Sequence, residues 1–207
     1  MPIPTDNFKS ATAVSRFFLV CLVGLGLDLW TKAYAFSHLA NPATQITDTR
    51  PAVVKFIPGW IHFEITTNRG AVFGLGQGQK WLFLAVSVIA IGFLSYLFAT
   101  SKRQRFYQVI LGMLLAGVLG NMYDRIVFGY VRDMIHALPD WKWPGAWQVP
   151  LINYPGGGRD VFPFIFNVAD ILLCVGVGLM IVYSLFAGAE KGEKPAESSP
   201  ATSPETK

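Results

Sequence analysis

Two aspartates in this 207-residue sequence, Asp133 and Asp170, stand beside apolar stretches, where a charged side chain is unfavourable. Asp133 follows the segment "GNMYDR", and Asp170 lies in "FNVAD", directly before another apolar stretch. Two carboxyl groups held within a few ångströms of each other cannot both ionise easily, so they share one proton. The ionised partner then takes a proton from a water molecule while the protonated partner donates to a carbonyl oxygen. The pair therefore predicts hydrolysis of an amide bond by an aspartic dyad.

The same two aspartates also have a purely structural interpretation, in which each caps or flanks a helix at the membrane boundary. Ionisable residues within membrane segments are rare and often functional, which favours the catalytic interpretation. In either case we expect both residues at the outer boundary of the membrane.

Other polar residues stand near the ends of the same apolar stretches. They are Asn68, Asn121, Asp124, Arg125 and Asn167, together with the pair Asp28 and Lys32. Asp124 is predicted to act as a structural acceptor. Arg125 is predicted either to anchor backbone carbonyls or a substrate group, or to extend toward lipid phosphates. The i, i+4 spacing of Asp28 and Lys32 predicts a neutralised pair that ties the first helix to its neighbours.

The composition indicates that membrane helices position these residues. The chain is 52% hydrophobic and only 14% charged, whereas soluble domains average about 25% charged residues. Four segments are long and apolar enough to cross a membrane. They cover approximately residues 16–36, 81–100, 106–125 and 163–187. The small residues Gly112, Ala116, Gly117 and Gly120 predict close packing of the third segment against its neighbours.

The first segment also has features of a cleaved signal peptide, because Arg16 precedes its apolar run. However, Asp28 and Lys32 lie where the core of a signal peptide carries no charge. We therefore favour a retained helix.

The distribution of positive charge predicts the orientation of the helices. The short loop "SKRQR" between the second and third segments carries Lys102, Arg103 and Arg105. Short loops rich in Lys and Arg stay in the cytoplasm. Both termini are then cytoplasmic, and the connections at about 37–80 and 128–162 lie outside, with the candidate site near the outer leaflet.

The two outer connections differ in character. The first contains "AVVKFIPGWIHFEITTN", whose partial alternation and β-branched and aromatic residues predict a small sheet. The second is rich in Trp and Gly, and its tryptophans predict a segment against the bilayer surface. Residues 190–207 are polar and rich in Pro and Ser, which predicts a disordered cytoplasmic tail. Residues 1–189 are predicted to form an all-α membrane domain of four transmembrane helices with a small extracytoplasmic β-sheet.

Several other functions lack their motifs. Cys21 and Cys174 lie in apolar stretches, and the three histidines form no ligand pattern, so no metal is expected. The sequence has no GxSxG, HExxH or GxGD motif, which argues against serine, zinc and presenilin-type peptidases. The stretch "NRGAVFGLGQG" lacks the order of a phosphate-binding loop. The net charge of +4 reflects where Lys and Arg sit rather than a surface for nucleic acid.

Taken together, the motifs resemble those of the lipoprotein signal peptidases (signal peptidase II) over roughly residues 16–187. "DLWTK" is similar to the family's D-Q-x-x-K in the first helix, and "NRGAVFG" to N-x-G-A-A-F before the second. "GNMYDR" followed by "GYVRDMI" is similar to G-N-L-x-D-R and V-V-D-F-I, and "FNVAD" to F-N-x-A-D. Four motifs in this order, at the matching ends of four spans, make the resemblance specific.

The resemblance implies a membrane aspartic endopeptidase that cleaves bacterial prolipoprotein signal peptides on the N-terminal side of a diacylglyceryl-modified cysteine. By motif position, Asp133 and Asp170 match the catalytic pair. Positions that orient substrate, inhibitor or the dyad are matched by Asn68, Asn121, Arg125 and Asn167, and supporting positions by Asp28, Lys32 and Asp124. The family needs no cofactor, is blocked by the cyclic peptide globomycin and has an extracytoplasmic loop over the site. We accordingly expect a monomer in the bacterial inner membrane, in contact with lipid and without a nucleic-acid partner.

The sequence departs from the family pattern at a few places. Leu29 replaces a usual Gln, and Arg69 and Val72 vary the second motif. The insertion at about 138–162 is either a lid that alters substrate access or an elaboration at the membrane interface.

Two rival functions follow from the same residues. A small transporter would relay ions through buried carboxylates, but it predicts polar residues along a whole pathway rather than on one side. A non-enzymatic assembly factor would not need both Asp133 and Asp170. The clustering on one side favours the peptidase.

Overall fold

Four long helices are the main elements of the computed structural model, which describes residues 7–39, 53–70, 78–101, 105–145 and 159–192. They are α1 (Ala11–His38), α2 (Lys80–Thr100), α3 (Arg105–Val127) and α4 (Val168–Gly192). Each contains a stretch long and apolar enough to cross a membrane. Helices suit such sequences because a backbone in lipid must satisfy its hydrogen bonds internally. The prediction of four membrane-spanning helices is confirmed.

The fourth helix begins later than the sequence predicts. Within the predicted span 163–187, residues Ile165–Phe166 form a short strand and α4 starts only at Val168. The apolar run "FPFIF" has no periodicity that distinguishes a strand from a helix, so its assignment was wrong. At its other end α4 continues to Gly192, three residues into the predicted tail, and residues 193–207 lie outside the described part.

A four-stranded antiparallel sheet accompanies the helices, in the order β1-β2-β3-β4. Its strands are β1 (Val54–Ile57), β2 (Ile61–Asn68), β3 (Val131–Ala137) and β4 (Ile165–Phe166). The small sheet predicted for the first connection is confirmed by β1 and β2, but β3 and β4 were not foreseen. The charged residues in "VRDMIHA" hide the alternation that marks a strand.

Helix α3 lies at the centre of the helical part. In its apolar window 56% of the residues are buried, against 22% or less in the other three helices. A Cβ atom added at Gly117 would lie 2.6 Å from the carbonyl oxygen of Ala169 and 2.6 Å from the side chain of Leu173. The backbones of α3 and α4 therefore approach so closely that only glycine fits, as the small residues predicted.

A short turn connects α3 directly to the sheet. Gly129 has a φ angle of +82°, a left-handed conformation that glycine adopts readily. Strand β3 starts two residues later, so it lies at the end of α3 where α4 begins, and β4 leads straight into α4. The sheet and the first turn of α4 are thereby brought to one end of the helices.

A polar cluster ties the opposite end of the helices together. The Asn7 side-chain amide donates to the carbonyl oxygens of Phe98 (2.8 Å) and Ser101 (2.7 Å) at the end of α2. The Gln108 amide donates to Asn7 Oδ1 at 3.4 Å and its oxygen accepts from Arg16 at 2.5 Å. These bonds cap α2 and join it to α1 and α3.

The ends of the insertion at about 138–162 pair with each other. The Trp143 N–H donates to the carbonyl of Arg159 at 2.8 Å, and the Val161 N–H donates to that of Trp141 at 2.9 Å. Residues 146–158 lie outside the described part. The predictions of a loop over the site and of a segment along the bilayer therefore fall largely on residues that the structure does not describe.

Candidate active site

The first turn of α4 is closed by a reciprocal pair of hydrogen bonds between Asn167 and Asp170. The Asp170 N–H donates to Asn167 Oδ1 at 3.0 Å, and the Asn167 N–H donates to Asp170 Oδ2 at 3.2 Å. This is a capping box, in which two otherwise unsatisfied donors at a helix start are paired. Asp170 thus takes part in capping its helix, in line with the structural interpretation, but its other carboxylate oxygen accepts from a different partner.

That partner is Asn121 on α3, whose amide nitrogen donates to Asp170 Oδ1 at 2.8 Å. The Asn167 amide nitrogen donates to Asn121 Oδ1 at 3.2 Å and to Asp133 Oδ1 at 2.6 Å. In every bond of this network the side-chain nitrogens of Asn121 and Asn167 donate and their side-chain oxygens accept, as an amide requires. Asn167 therefore links the two aspartates that the sequence singled out, from β3 and α4.

Asp133 lies on β3 with only 2% of its surface exposed. The pKa of this carboxyl is raised from 3.8 to about 7, mainly by burial and also by the nearby negative charge of Asp170, while hydrogen bonds from Asn167 and Asn68 oppose the shift. Burial dominates because an ionised carboxylate loses its hydration inside the protein. Close to neutral pH, Asp133 can therefore hold or release a proton.

Asn68 and Arg125 hold the turn that follows β2. Asn68 Oδ1 accepts the N–H of Gly70 at 3.0 Å, and an Arg125 N–H donates to the Gly70 carbonyl oxygen at 3.2 Å. The Arg125 guanidinium also lies 4.8 Å from the centre of the Phe83 ring, a cation–π distance. Arg125 thus contacts a backbone carbonyl, which is the first of the two arrangements predicted for it.

Beside the two aspartates lies a second, fully buried group of charges on α1 and α3. The Lys32 ammonium is 2.8 Å from Asp28 Oδ2 and 3.4 Å from Asp124 Oδ2, and it donates to Asn121 Oδ1 at 3.1 Å. Asp28 Oδ1 accepts the N–H of Ala169 in the first turn of α4 at 2.8 Å. Asp28 and Lys32 form the expected i, i+4 pair, and they contact both neighbouring helices.

Arg132, next to Asp133, was not singled out from the sequence. Its guanidinium donates to Asp124 Oδ1 through two nitrogens, at 3.1 and 2.8 Å, and only 7% of the residue is exposed. Successive residues of a strand point to opposite faces. Arg132 therefore points to the opposite face of β3 from Asp133. Its contact with Asp124 on α3 is visible only in the structure.

The described residues contain no group of three or more His, Cys, Asp or Glu side chains that could hold a metal ion. His62 and His136 are cross-strand partners on β2 and β3. What the site does offer is two linked carboxyl groups, one of which titrates near neutral pH. That arrangement can activate water and protonate a carbonyl oxygen.

Sequence comparisons find relatives along most of the chain. The family model described as signal peptidase (SPase) II matches residues 20–186. A lipoprotein signal peptidase of Rhodopirellula baltica is 33% identical over 201 residues, covering 88% of this chain and 78% of the relative. A lipoprotein signal peptidase of Halalkalibacterium halodurans is 31% identical over 167 residues, covering 80% of this chain and 89% of the relative.

Solved structures with the same architecture are also found. One, described as a bacterial membrane enzyme structure by the in meso method at 2.3 Å resolution, superposes with a TM-score of 0.65 at 28% identity, covering 90% of this chain and 94% of that chain. Another of the same description, at 1.9 Å resolution, superposes with a TM-score of 0.59 at 27% identity, covering 84% of this chain and 92% of that chain.

Proposed function

The chain belongs to the signal peptidase II family, and we propose that Asp133 and Asp170 are the catalytic pair with which it cleaves prolipoprotein signal peptides. It is a multi-pass bacterial membrane protein and a peptidase. The observation that carries the assignment is the bridge through Asn167, which bonds to both carboxyl groups. A purely structural role for Asp170 would require the cap alone, whereas its carboxylate also accepts a hydrogen bond from Asn121 on α3.

The two carboxyl groups take different roles in this proposal. Asp170 accepts one N–H on each carboxylate oxygen, and it lies at the start of α4, where the helix dipole favours negative charge. Asp133 is buried, and its pKa of about 7 keeps it protonated at acidic pH and partly protonated near neutral pH. We therefore assign the ionised form to Asp170 and the protonated form to Asp133.

In the hydrolytic step, Asp170 takes a proton from a water molecule while the water oxygen attacks the scissile carbonyl carbon. Asp133 donates its proton to the carbonyl oxygen, which gives a tetrahedral diol. Its collapse breaks the C–N bond: Asp170 passes the proton it took from water to the amine nitrogen, and Asp133 takes back a proton from a hydroxyl group of the diol. The products are the carboxyl end of the signal peptide and a free amino group on the lipid-modified cysteine. General acid and base groups of this kind each contribute about 10²- to 10⁴-fold to a rate.

The placement of the site matches a substrate held by lipid. The dyad lies where β3 and β4 meet the first turn of α4, at one end of four membrane-spanning helices. With the basic loop between α2 and α3 in the cytoplasm, this end faces the outer leaflet and both termini face the cytoplasm. A diacylglyceryl cysteine anchored in that leaflet would present the bond on its N-terminal side at the depth of the dyad.

The remaining assignments follow the motif positions. Asn121 and Asn167 orient the dyad, since both bond to its carboxylates. Asn68 and Arg125 border the site by holding the turn at Gly70 and are assigned to substrate or inhibitor contacts. Globomycin is the expected inhibitor and a monomer the expected form, with residues 1–189 as one peptidase domain.

The test is cleavage of two synthetic prolipoprotein peptides of the same sequence by the purified protein, one with and one without diacylglycerol on the cysteine. We expect cleavage of the lipidated peptide alone, with mass spectrometry locating the cut directly before the cysteine. Cutting at another bond, or equal cleavage of both peptides, would reject the proposed specificity.

A further inference from the structure

We propose that Arg132 is a positioning residue for the catalytic pair, because it fixes strand β3, and with it Asp133, to helix α3 through Asp124. This inference rests on the proposed function, since it takes Asp133 as catalytic.

The link between β3 and α3 is built from one residue on each side. Both oxygens of the Asp124 carboxylate are used: Oδ1 accepts from the guanidinium of Arg132 at 3.1 and 2.8 Å, and Oδ2 accepts from its backbone N–H at 2.9 Å. Asp124 is fully buried. Because the backbone and the side chain of Arg132 are both bound, the link restrains the strand itself and so the backbone of Asp133.

The guanidinium is also held by aromatic rings. Its central carbon lies 4.3 Å from the centre of the Phe128 ring and 6.0 Å from that of Phe36 on α1. Arginine combines a planar group that stacks on rings with a fixed set of donors for a carboxylate. Lysine at this position would keep the charge but lose both features.

The same helix also sets the position of the second aspartate. Asn121, one turn before Asp124 on α3, donates to Asp170 Oδ1 at 2.8 Å. Helix α3 therefore holds Asp170 directly through Asn121 and holds Asp133 through the link from Asp124 to Arg132. The separation of the two carboxyl groups then depends on both links, and an error of about 1 Å in such a geometry can lower a rate by about 100-fold.

Arg132 also balances the buried charges. Asp28 and Asp124 are the two carboxylates of the group, and Lys32 and Arg132 are the two cations in contact with them. Removing one member of a buried ion pair leaves an uncompensated charge and is destabilising. A loss of stability alone therefore does not distinguish positioning from a merely structural role, and the test needs a kinetic readout.

The experiment compares kcat and KM of Arg132→Gln, Arg132→Lys and the parent on a lipidated prolipoprotein peptide, with rates expressed per folded protein. We expect Arg132→Gln to lower kcat by about 10- to 100-fold with KM within about twofold of the parent, and Arg132→Lys to recover part of the loss. Arg16→Gln is the matched control, because Arg16 bonds to Gln108 at the opposite end of the helices. It is expected to keep the kcat of the parent.

A second comparison tests the route through Asp124. The double variant Arg132→Gln, Asp124→Asn is expected to have a kcat within about threefold of the more impaired single variant, since both changes break one link. If instead the fold-losses in kcat of the two single variants multiply in the double variant, the two residues act independently, which would overturn the proposal. A parental kcat in folded Arg132→Gln would also overturn the proposal. If Arg132→Gln does not fold, a parental kcat in Arg132→Lys would overturn it instead.

Asp133→Asn is measured in parallel to separate the two proposals. If Asp133→Asn is inactive while Arg132→Gln is normal, only the positioning role fails. If Asp133→Asn cleaves at the parental rate, the catalytic assignment fails, and the inference fails with it.

Discussion

The side-chain amide nitrogen of Asn167 lies 2.6 Å from a carboxylate oxygen of Asp133. On its other side the amide oxygen of Asn167 accepts the N–H of Asp170, which closes the first turn of α4. One asparagine thus serves as a helix cap and as a spacer between the two proposed catalytic carboxyl groups. The stability of this helix start and the geometry of the site are therefore coupled.

Replacing Asn167 by alanine is expected to reduce both stability and rate. The cap contributes about 1 kcal/mol to the stability of a helix, and the loss of the bond to Asp133 should lower kcat by about 10- to 100-fold. Thermal unfolding in detergent and cleavage kinetics measure the two effects. Ser10→Ala is the control, because Ser10 stands before α1 without a side-chain cap bond. A parental kcat in Asn167→Ala would contradict the bridging role.

The rate of cleavage is expected to fall as the pH rises through about 7. The pKa of Asp133 is raised to about 7, mainly by burial, and the proposed mechanism requires this group to be protonated. The apparent value belongs to the coupled pair of carboxyl groups. Measurement of kcat/KM between about pH 5 and pH 9 tests this. A rate that keeps rising above neutral pH would contradict the assignment.

Asn68→Ala is expected to shift the decline of kcat/KM with rising pH to a higher pH. The hydrogen bond from Asn68 lowers the pKa of Asp133, because it favours the ionised carboxylate. Without the bond, Asp133 keeps its proton to a higher pH, even if the overall rate is lower. The measurement is the same pH profile. A decline at unchanged or lower pH would show that Asn68 does not act on this carboxyl group.

Asp133→Asn is expected to stabilise the folded protein above neutral pH. Because the pKa of Asp133 is higher in the folded state than its ordinary value of 3.8, the folded state binds more protons between about pH 4 and 7. Its free energy of unfolding therefore decreases as the pH rises through this window. Asparagine does not ionise, so Asp133→Asn does not lose this stability as the pH rises. The thermal midpoint of the variant minus that of the parent should therefore be larger at about pH 8 than at about pH 5. An equal gain at both values would contradict a raised pKa.

Gly117→Ala is expected to lower the thermal midpoint, because the added Cβ would lie 2.6 Å from the Ala169 carbonyl oxygen and force α3 and α4 apart. Gly178→Ala on α4 is the matched control, since nothing lies within 4 Å of its added Cβ. Thermal unfolding of the two variants measures the difference. Equal midpoints would mean that the helix contact tolerates separation.

The elements that the sequence predicts best are those with a strong local signal. Long apolar stretches identify the four spans because lipid requires them, and the i, i+4 spacing of Asp28 and Lys32 identifies their ion pair. Asn167 and Asp170, in "FNVAD", also have the spacing of a capping box. These features depend on neighbours within a few residues.

The features that the sequence does not predict depend on partners in other elements. Strand β3 carries a buried charged residue on each face, Arg132 toward Asp124 and Asp133 toward Asn167, so it shows no apolar alternation. Strand β4 is only two residues long and is visible only through its pairing with β3. The contact between Arg132 on β3 and Asp124 on α3 joins two elements, so it is seen only in the folded structure.

The most direct test of the catalytic assignment is single-turnover cleavage of a lipidated prolipoprotein peptide by Asp133→Asn, Asp170→Asn and Asp140→Asn. Asp140 is the control because its side chain is 62% exposed, with His62 4.0 Å away. We expect the first two variants, folded and in the membrane fraction, to lose at least about 100-fold in rate, the lower limit for a general acid or base. Asp140→Asn should cleave at the parental rate. Retention of the parental rate by either Asp133→Asn or Asp170→Asn would contradict catalysis by this pair.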